Sequence, residues 1–177
     1  SLGNPCDRYL WLCYHGHMVD QPLPPNLQRI FQCGSSLEDR VAKWFTGLNI
    51  LLQQEKSVRI DTPPISGRID FVIKHYDYGN LPVELKSINK AGFTKLKKPK
   101  PDHSLQLQMY LNMGDYAMGT VLYECKDDQK IKSFLVERDV VEWEKILARC
   151  FRIQDMIAVP EKCTGAPWCA CKEVGTI

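Results

Sequence analysis

Two kinds of hydrophobic pattern divide the chain into helices and strands. Apolar residues recur every three or four positions in three stretches, which predicts helices at about 36–49, 103–115 and 139–160. Apolar and polar residues alternate in five shorter stretches, which predicts strands at 57–61, 68–74, 81–87, 120–124 and 131–137. Ser35 and Glu38 have the spacing of a capping box that would begin the first helix, and Asp139 with Glu142 has it at the last helix.

This order of elements predicts an α/β fold in which helices flank a central mixed sheet. The chain has 177 residues, the size of one ordinary domain, and we predict a single domain over 1–177 with its core at about 35–138. Hydrophobic residues make up 44% and charged residues 25%, and no apolar run reaches the roughly 18 residues that cross a membrane. Composition therefore argues against a disordered or membrane-inserted chain.

Net charge and cysteine content give partial information about the partners and the cellular compartment of the protein. The net charge of +2 neither demands nor excludes a polyanionic partner. Eight cysteines are sparse for a disulfide scaffold of this length, and the chain shows no basic and apolar leader. We therefore expect a reducing compartment, the cytoplasm of a prokaryote or of a phage-infected host, where clustered cysteines more often hold a metal.

Two acids and a lysine are predicted to meet on neighbouring strands. Alternation in the second strand places Arg68, Asp70 and Val72 on one face, and Ile69, Phe71 and Ile73 on the other. Glu84 and Lys86 share one face of the next strand, and an antiparallel hairpin through Gly79 would lay them against Asp70.

Such a cluster suits phosphodiester hydrolysis. Carboxylate oxygens hold Mg²⁺ or Mn²⁺, the metal activates a water, and a lysine orients that water or stabilises the charged transition state. A second Glu-x-Lys tripeptide, Glu124-Cys125-Lys126, also follows a predicted strand. It lacks an upstream acidic partner, so we interpret Glu84 and Lys86 as the functional pair.

Three motifs in order resemble the PD-(D/E)XK nuclease superfamily, in its RecB-like exonuclease branch. They are Gly67-Arg68-Ile69-Asp70, Glu84-Leu85-Lys86 and Gln106-Leu107-Gln108-Met109-Tyr110. The resemblance implies a restriction-endonuclease-like core in which Asp70, Glu84 and the carbonyl of Leu85 bind Mg²⁺ or Mn²⁺. It further implies that Lys86 assists the attacking water, and that Gln106 and Tyr110 position the substrate strand.

The superfamily also supplies a ligand from the helix before the first strand, a His in much of this branch and a Glu in other members. Here the residue would be Glu38, although Glu38 could instead serve the capping box with Ser35. His103, close to Gln106 in sequence, could contact substrate.

A cysteine cluster follows the last predicted helix. Cys163, Cys169 and Cys171 lie within nine residues, and one more thiolate would complete a four-cysteine site. Cys6 is the predicted fourth ligand and Cys13 its reserve. This arrangement, with one cysteine before the core and three after it, resembles RecB-like nucleases that carry a [4Fe–4S] cluster, including the CRISPR-adaptation nucleases and the AddB nuclease domain. Such a cluster would join the segments 1–34 and 139–177. Zinc, and free or disulfide-bonded thiols, remain alternatives.

The other three cysteines, Cys33, Cys125 and Cys150, are predicted to be small buried hydrophobic residues.

A run of lysines follows the Glu84-Leu85-Lys86 strand. Its members are Lys90, Lys95, Lys97, Lys98 and Lys100, with no acid among them. A charge run is often only a solvated loop, but beside a nuclease centre it predicts contact with DNA phosphates. Phe93, in the same loop, could stack on an unpaired base or anchor the loop by packing.

Together these features predict a metal-dependent DNA exonuclease, and the resemblance to the iron–sulfur relatives suggests single-stranded ends and 5′ to 3′ polarity. A DNA endonuclease of the same chemistry is one alternative. A DNA-binding subunit without turnover is another, within a recombination or CRISPR-adaptation complex. Oligomeric state is left open.

Overall fold

The computed structural model describes residues 6–17 and 24–163, which belong to two compact units. The sheet unit is Leu23–Val140, and the terminal unit combines Ser1–Pro22 with Val141–Ile177. No helix of the described residues is long and apolar enough to cross a membrane. The elements in chain order are α1 (Asp7–Tyr14), α2 (Pro25–Gly47), β1 (Leu51–Ile60), β2 (Ile65–His75), β3 (Gly79–Ile88), α3 (Lys90–Lys95), α4 (Pro101–Met113), β4 (Met118–Cys125), β5 (Ile131–Glu137) and α5 (Val140–Gln154).

The sheet unit is built on five strands in the order β1-β2-β3-β4-β5, so all five predicted strands are present. Neighbouring strands are antiparallel except β3 and β4, which are parallel. A parallel pair cannot be joined by a tight turn, so the chain must cross a face of the sheet between the two strands. This crossing carries α3 and α4.

Two apolar clusters lie against the sheet. One contains Leu37 and Val41 of α2 and packs with Phe71, Val83 and other strand residues. The second contains three residues of α4, Leu107, Tyr110 and Leu111, packed with strand residues such as Ile69, Val72 and Tyr123. Each helix thus buries its apolar stripe on the sheet, in the manner typical of layered α/β folds.

The terminal unit holds α1 against α5 and the segment that follows it. Asp7 forms ion pairs with Arg149 and Arg152, both at 2.9 Å. Arg8, which is buried, donates a hydrogen bond to the carbonyl of Pro160, and the indole of Trp11 donates one to the carbonyl of Met156. Charged and apolar contacts between the two ends of the chain therefore build this unit.

The first predicted helix boundary is wrong. α2 begins at Pro25, eleven residues earlier than predicted, so Ser35 and Glu38 lie in the middle of a helix and form no capping box. A proline at the first helical position needs no hydrogen-bond partner for its nitrogen, and it begins the helix here. Residues 25–33 are all exposed, although Leu27, Ile30 and Phe31 recur there at helical spacing, so the sequence prediction missed a pattern that was present.

Smaller differences occur elsewhere. α1 and α3 were not predicted, and α5 ends at Gln154 rather than near 160. Cys33 is exposed, contrary to prediction, because it lies in the solvated half of α2; Cys125 is buried and Cys150 is half-buried.

Candidate active site

The hairpin of β2 and β3 brings together the predicted acids and lysine. Phe71 pairs with Val83 across the two strands, which sets Asp70 beside the segment that holds Glu84 and Lys86. The carboxylate of Asp70 accepts a hydrogen bond of 2.7 Å from the backbone N–H of Leu85. Glu84 is fully buried and forms an ion pair with Lys86.

Strand alternation breaks at Asp70, and the predicted division of faces is wrong at this point. Ile69 packs in the cluster with α4, whereas Phe71, two residues later, packs in the cluster with α2. On the neighbouring strand Glu55 lies between the partners of these two residues and has φ 52°, in the left-handed region. Local irregularity of this kind re-aims a side chain, and it occurs beside functional sites.

Burial dominates the electrostatics of the two acids. Burial, and then the charge of Asp70, raise the pKa of Glu84 to about 7 despite the opposing Lys86. Burial also raises the pKa of Asp70, although the hydrogen bond from Leu85 and the charge of Lys86 oppose the rise. For Lys86, burial disfavours the ammonium ion, but Glu84 and then Asp70 outweigh it and raise the pKa of the lysine. The lysine therefore stays charged while the acids resist carrying two negative charges together.

Glu38 of α2 belongs to the same electrostatic group. Its pKa is raised by partial burial, by Asp70 and by Glu55, and lowered by Arg68 and Lys86. Because Glu38 lies inside α2 and forms no capping box, its carboxylate does not cap a helix N-terminus. The structure thus leaves Glu38 near the site and available to it.

Helix α4 places Tyr110 and Gln106 at the site. The amide of Gln106 donates a hydrogen bond of 2.9 Å to the hydroxyl of Tyr110. Burial raises the pKa of Tyr110, as do Glu84 and Asp70, while the bonds from Gln106 and from the backbone of Arg68 oppose the rise. The phenol therefore stays protonated and can donate a hydrogen bond.

Gly67 is a close-approach glycine beneath Tyr110. A Cβ at Gly67 would lie 2.5 Å from Cε1 of the tyrosine ring, far inside van der Waals contact. The first residue of the Gly67-Arg68-Ile69-Asp70 motif is thus small because the tyrosine of the third motif packs on it.

Replacing Gly67 with alanine is expected to displace Tyr110 and to lower the free energy of unfolding by about 1–3 kcal/mol through overpacking. Gly34→Ala is the matched control, since Gly34 lies inside α2 with nothing within 4 Å of an added Cβ. That change should stabilise the helix by about 0.5–1 kcal/mol. Urea unfolding measures both, and equal effects of the two substitutions would contradict the close packing of Tyr110 on Gly67.

Fit to a divalent metal can be judged from the donor atoms. Apart from the ion pair with Lys86, neither buried oxygen of Glu84 accepts a hydrogen bond from the described residues. Orphaned carboxylate oxygens of this kind are costly unless a cation satisfies them. In the side-chain positions described, however, no three His, Cys, Asp or Glu residues are grouped closely enough to hold a metal. Carboxylate oxygens are the donors that Mg²⁺ and Mn²⁺ prefer, but the described side chains do not form a complete set of ligands.

His103 lies on the first turns of α4, where its ring nitrogen Nδ1 is 2.8 Å from the hydroxyl of Tyr123. Burial lowers the pKa of His103 to about 4, and Lys86 and Lys100 contribute against the opposing Asp102. Its imidazole is therefore neutral near pH 7, within electrostatic reach of Lys86.

The second Glu-x-Lys tripeptide has a structural role. Glu124 is buried and both its oxygens accept hydrogen bonds of 2.6 Å from Arg40 of α2. Arg40 also lies over the ring of Trp44, 5.4 Å from its centroid. This carboxylate thus joins α2 to the end of β4.

All five lysines of the run are exposed. Lys90 lies 3.9 Å from Asp128, and its backbone N–H donates to Asp127. Phe93 is buried in the cluster with α4 and receives Lys132 over its ring, so it anchors the segment by packing and is not free to stack on a base.

Two of the four predicted cysteine ligands can be described. Cys6 is buried in the apolar cluster of the terminal unit, and Cys163 packs against that same cluster. Cys169 and Cys171 lie outside the described residues. Cys13, the reserve ligand, is exposed.

Sequence reasoning missed Glu55 at this site. Its carboxylate lies 3.3 Å from the guanidinium of Arg68 and raises the pKa of Asp70 and Glu38. The only signal in the sequence is its position in a polar stretch before the predicted first strand, which is indistinguishable from an ordinary surface acid.

Comparison with known proteins supports the fold. No model of a known protein family and no curated relative matches the chain. Among solved structures, SSO0001 is 18% identical with a TM-score of 0.61, and the match covers 90% of this chain and 75% of that protein. The alkaline exonuclease LHK-Exo from Laribacter hongkongensis, in complex with dAMP, is 18% identical with a TM-score of 0.59, covering 81% and 73%.

A phage-related exonuclease from Haemophilus somnus 129PT is 16% identical with a TM-score of 0.59, covering 84% of this chain and 77% of that one. The chain therefore has the fold of nuclease structures, and the predicted fold class is confirmed.

Proposed function

We propose that this chain is a metal-dependent DNA exonuclease. The observation that carries the proposal is the carboxylate of Glu84, which is fully buried beside Asp70 and, among the described residues, has Lys86 as its one side-chain partner. A buried acid of this kind is costly to stability unless a cation pairs with it, and such groups are concentrated at functional sites. The fold shared with exonuclease structures adds support.

Asp70, Glu84 and Glu38, together with the carbonyl of Leu85, would hold Mg²⁺ or Mn²⁺. These are the hard oxygen donors that such ions prefer. The metal supplies polarisation of the phosphate and a lowered pKa for the attacking water.

The remaining roles belong to the protein itself. The ammonium group of Lys86, kept charged by Glu84 and Asp70, orients the water and stabilises the charge that develops on the phosphate. Tyr110, held by Gln106, donates a hydrogen bond to the substrate strand. The exposed lysines at 90–100 bind phosphates of the approaching strand.

The proposed substrate is single-stranded DNA with a free end, degraded from 5′ to 3′. LHK-Exo has been solved with dAMP, a product-sized nucleotide, which supports a nucleotide ligand for this fold. The proposed setting is cytoplasmic, within recombination or CRISPR adaptation, and oligomer formation is compatible with it.

The function is tested with anaerobically purified protein, Mn²⁺ and two single-stranded DNA substrates, one linear and end-labelled, the other a closed circle. Release of nucleotides from the linear strand alone is expected, and the label lost first gives the polarity. Cutting of the circle would make the protein an endonuclease. Binding without hydrolysis would favour a non-catalytic DNA-binding subunit.

We also propose a [4Fe–4S] cluster held by Cys6, Cys163, Cys169 and Cys171, with zinc as the alternative metal. Support comes from the shared apolar cluster of Cys6 and Cys163, which brings the two ends of the chain together.

Replacing Cys163 with serine is expected to remove the bound metal and to lower the thermal midpoint of the terminal unit. Cys33→Ser is the control, since Cys33 is exposed on α2. Iron and zinc analysis with the visible absorption spectrum distinguishes the two metals, and metal content unchanged in Cys163→Ser would exclude Cys163 as a ligand.

A further inference from the structure

Arg68 lies at the site but has no part in the function proposed above. It precedes Asp70 by two residues in β2, and its backbone N–H donates to the hydroxyl of Tyr110. Its charge reaches Asp70 and Glu38, since it lowers the pKa of both carboxyls. The guanidinium is therefore close to the proposed catalytic acids.

Its partner is Glu55, and the contact between them is open to solvent. Nη2 of Arg68 lies 3.3 Å from Oε1 of Glu55, with 64% of the arginine side chain and 49% of the glutamate side chain exposed. Exposed ion pairs of this kind contribute little to stability, so another anion can readily displace the glutamate.

The charges around this pair favour such an exchange. Glu55 lies in electrostatic reach of Asp70 and Glu38, so three carboxylates repel one another there. A strand of DNA entering the site meets this negative group, and Arg68 is the exposed cation next to it. A guanidinium offers two parallel donors that match the oxygens of a phosphodiester.

We propose that Arg68 binds a backbone phosphate of the DNA strand and that Glu55 holds its guanidinium in place until the phosphate replaces it. This inference rests on the proposed function, because it assigns a residue to the binding of that substrate. Glu55 is a positioning residue in this scheme, and its backbone at the site is in the left-handed region, with φ 52°.

The test is binding of a fluorescein-labelled DNA single strand, followed by fluorescence anisotropy over a series of salt concentrations, with Ca²⁺ in place of Mn²⁺ to suppress hydrolysis. Loss of one phosphate contact lowers the slope of log affinity against log salt by about 0.7 for a single strand. Arg68→Gln should show this reduced slope and about tenfold weaker binding. Arg68→Lys should keep the slope, because the charge remains, and lose part of the affinity with the second donor.

The chain offers a matched control in Arg59 and Asp61. They form an exposed ion pair at the end of the neighbouring strand β1, so Arg59→Gln also removes one exposed, paired arginine. If Arg68→Gln behaves like Arg59→Gln, the inference is wrong. If the unaltered protein fails to bind the strand at any salt concentration, the proposed function itself fails, and the two results are distinguishable from the first titration.

Glu55 is tested by a double-mutant cycle. Glu55→Gln should tighten binding about two- to fivefold, because the phosphate no longer competes with a carboxylate for Arg68. The gain should disappear when Arg68→Gln is also present. A gain of equal size in both backgrounds would show that Glu55 acts only through its general negative charge and would overturn its positioning role.

Discussion

Replacing Lys86 with alanine is expected to reduce the rate of phosphodiester hydrolysis by about 10²- to 10³-fold while leaving DNA affinity nearly unchanged. The reason is that its ammonium group acts on the charge that develops in the transition state, whereas the bound strand is held mainly by other cations. Single-turnover hydrolysis of an end-labelled strand at saturating Mn²⁺ measures the rate, and anisotropy in Ca²⁺ measures the binding.

The chain contains its own control for this substitution. Lys126 ends the second Glu-x-Lys tripeptide, where Glu124 is bound by Arg40 and serves to join α2 to β4. Lys126→Ala should hydrolyse DNA at the unaltered rate. Equal losses from the two substitutions would mean that the active site has been placed on the wrong strand.

Replacing Glu84 with glutamine is expected to abolish hydrolysis and, in metal-free protein, to change how stability depends on pH. The pKa of Glu84 is raised from 4.5 to about 7 by burial and by Asp70. A carboxyl with a raised folded-state pKa contributes stability that is fully present below about 4.5 and lost as pH rises through about 7.

Such a shift corresponds to about 3 kcal/mol. The free energy of unfolding of Glu84→Gln relative to the unaltered protein should therefore rise by about this amount between pH 4.5 and pH 8, because the amide never ionises.

Urea unfolding at several pH values in the presence of EDTA measures this difference. Glu144→Gln serves as the control, since that carboxylate is exposed on α5. A pH-independent difference for Glu84→Gln would show that the pKa of Glu84 is not raised in the folded protein. On adding Mn²⁺, the rise of this stability difference between pH 4.5 and pH 8 is expected to disappear, because a bound cation favours the charged carboxylate of Glu84.

The sheet and the pairing of its acids could be predicted from sequence because both depend on local patterns. The turn at Asp77–Asn80 and the alternation on either side of it set the hairpin, and the hairpin alone brings Asp70 to Glu84 and Lys86. The motif of Gln106 and Tyr110 was placed correctly on a helix for the same reason.

Features that depend on tertiary contacts could not be predicted. The break in alternation at Asp70 coincides with the left-handed backbone of Glu55, a residue far from it in sequence. The early start of α2 was missed for a different reason, since Leu27, Ile30 and Phe31 recur at helical spacing in its exposed first half. Phe93 was ambiguous until the packing of its ring was known.

Because β3 and β4 run parallel, the fold requires a helical crossing between them whether or not the protein is an enzyme. Selection for folding alone would keep α4 and the packing of Tyr110 on Gly67, but it would not keep the hydrogen bond of Gln106 to Tyr110. In homologues that had lost hydrolysis, Gln106 should then vary while Gly67, Tyr110 and the helix persist. Variation at position 106 would therefore separate active from inactive members of a lineage before either was assayed.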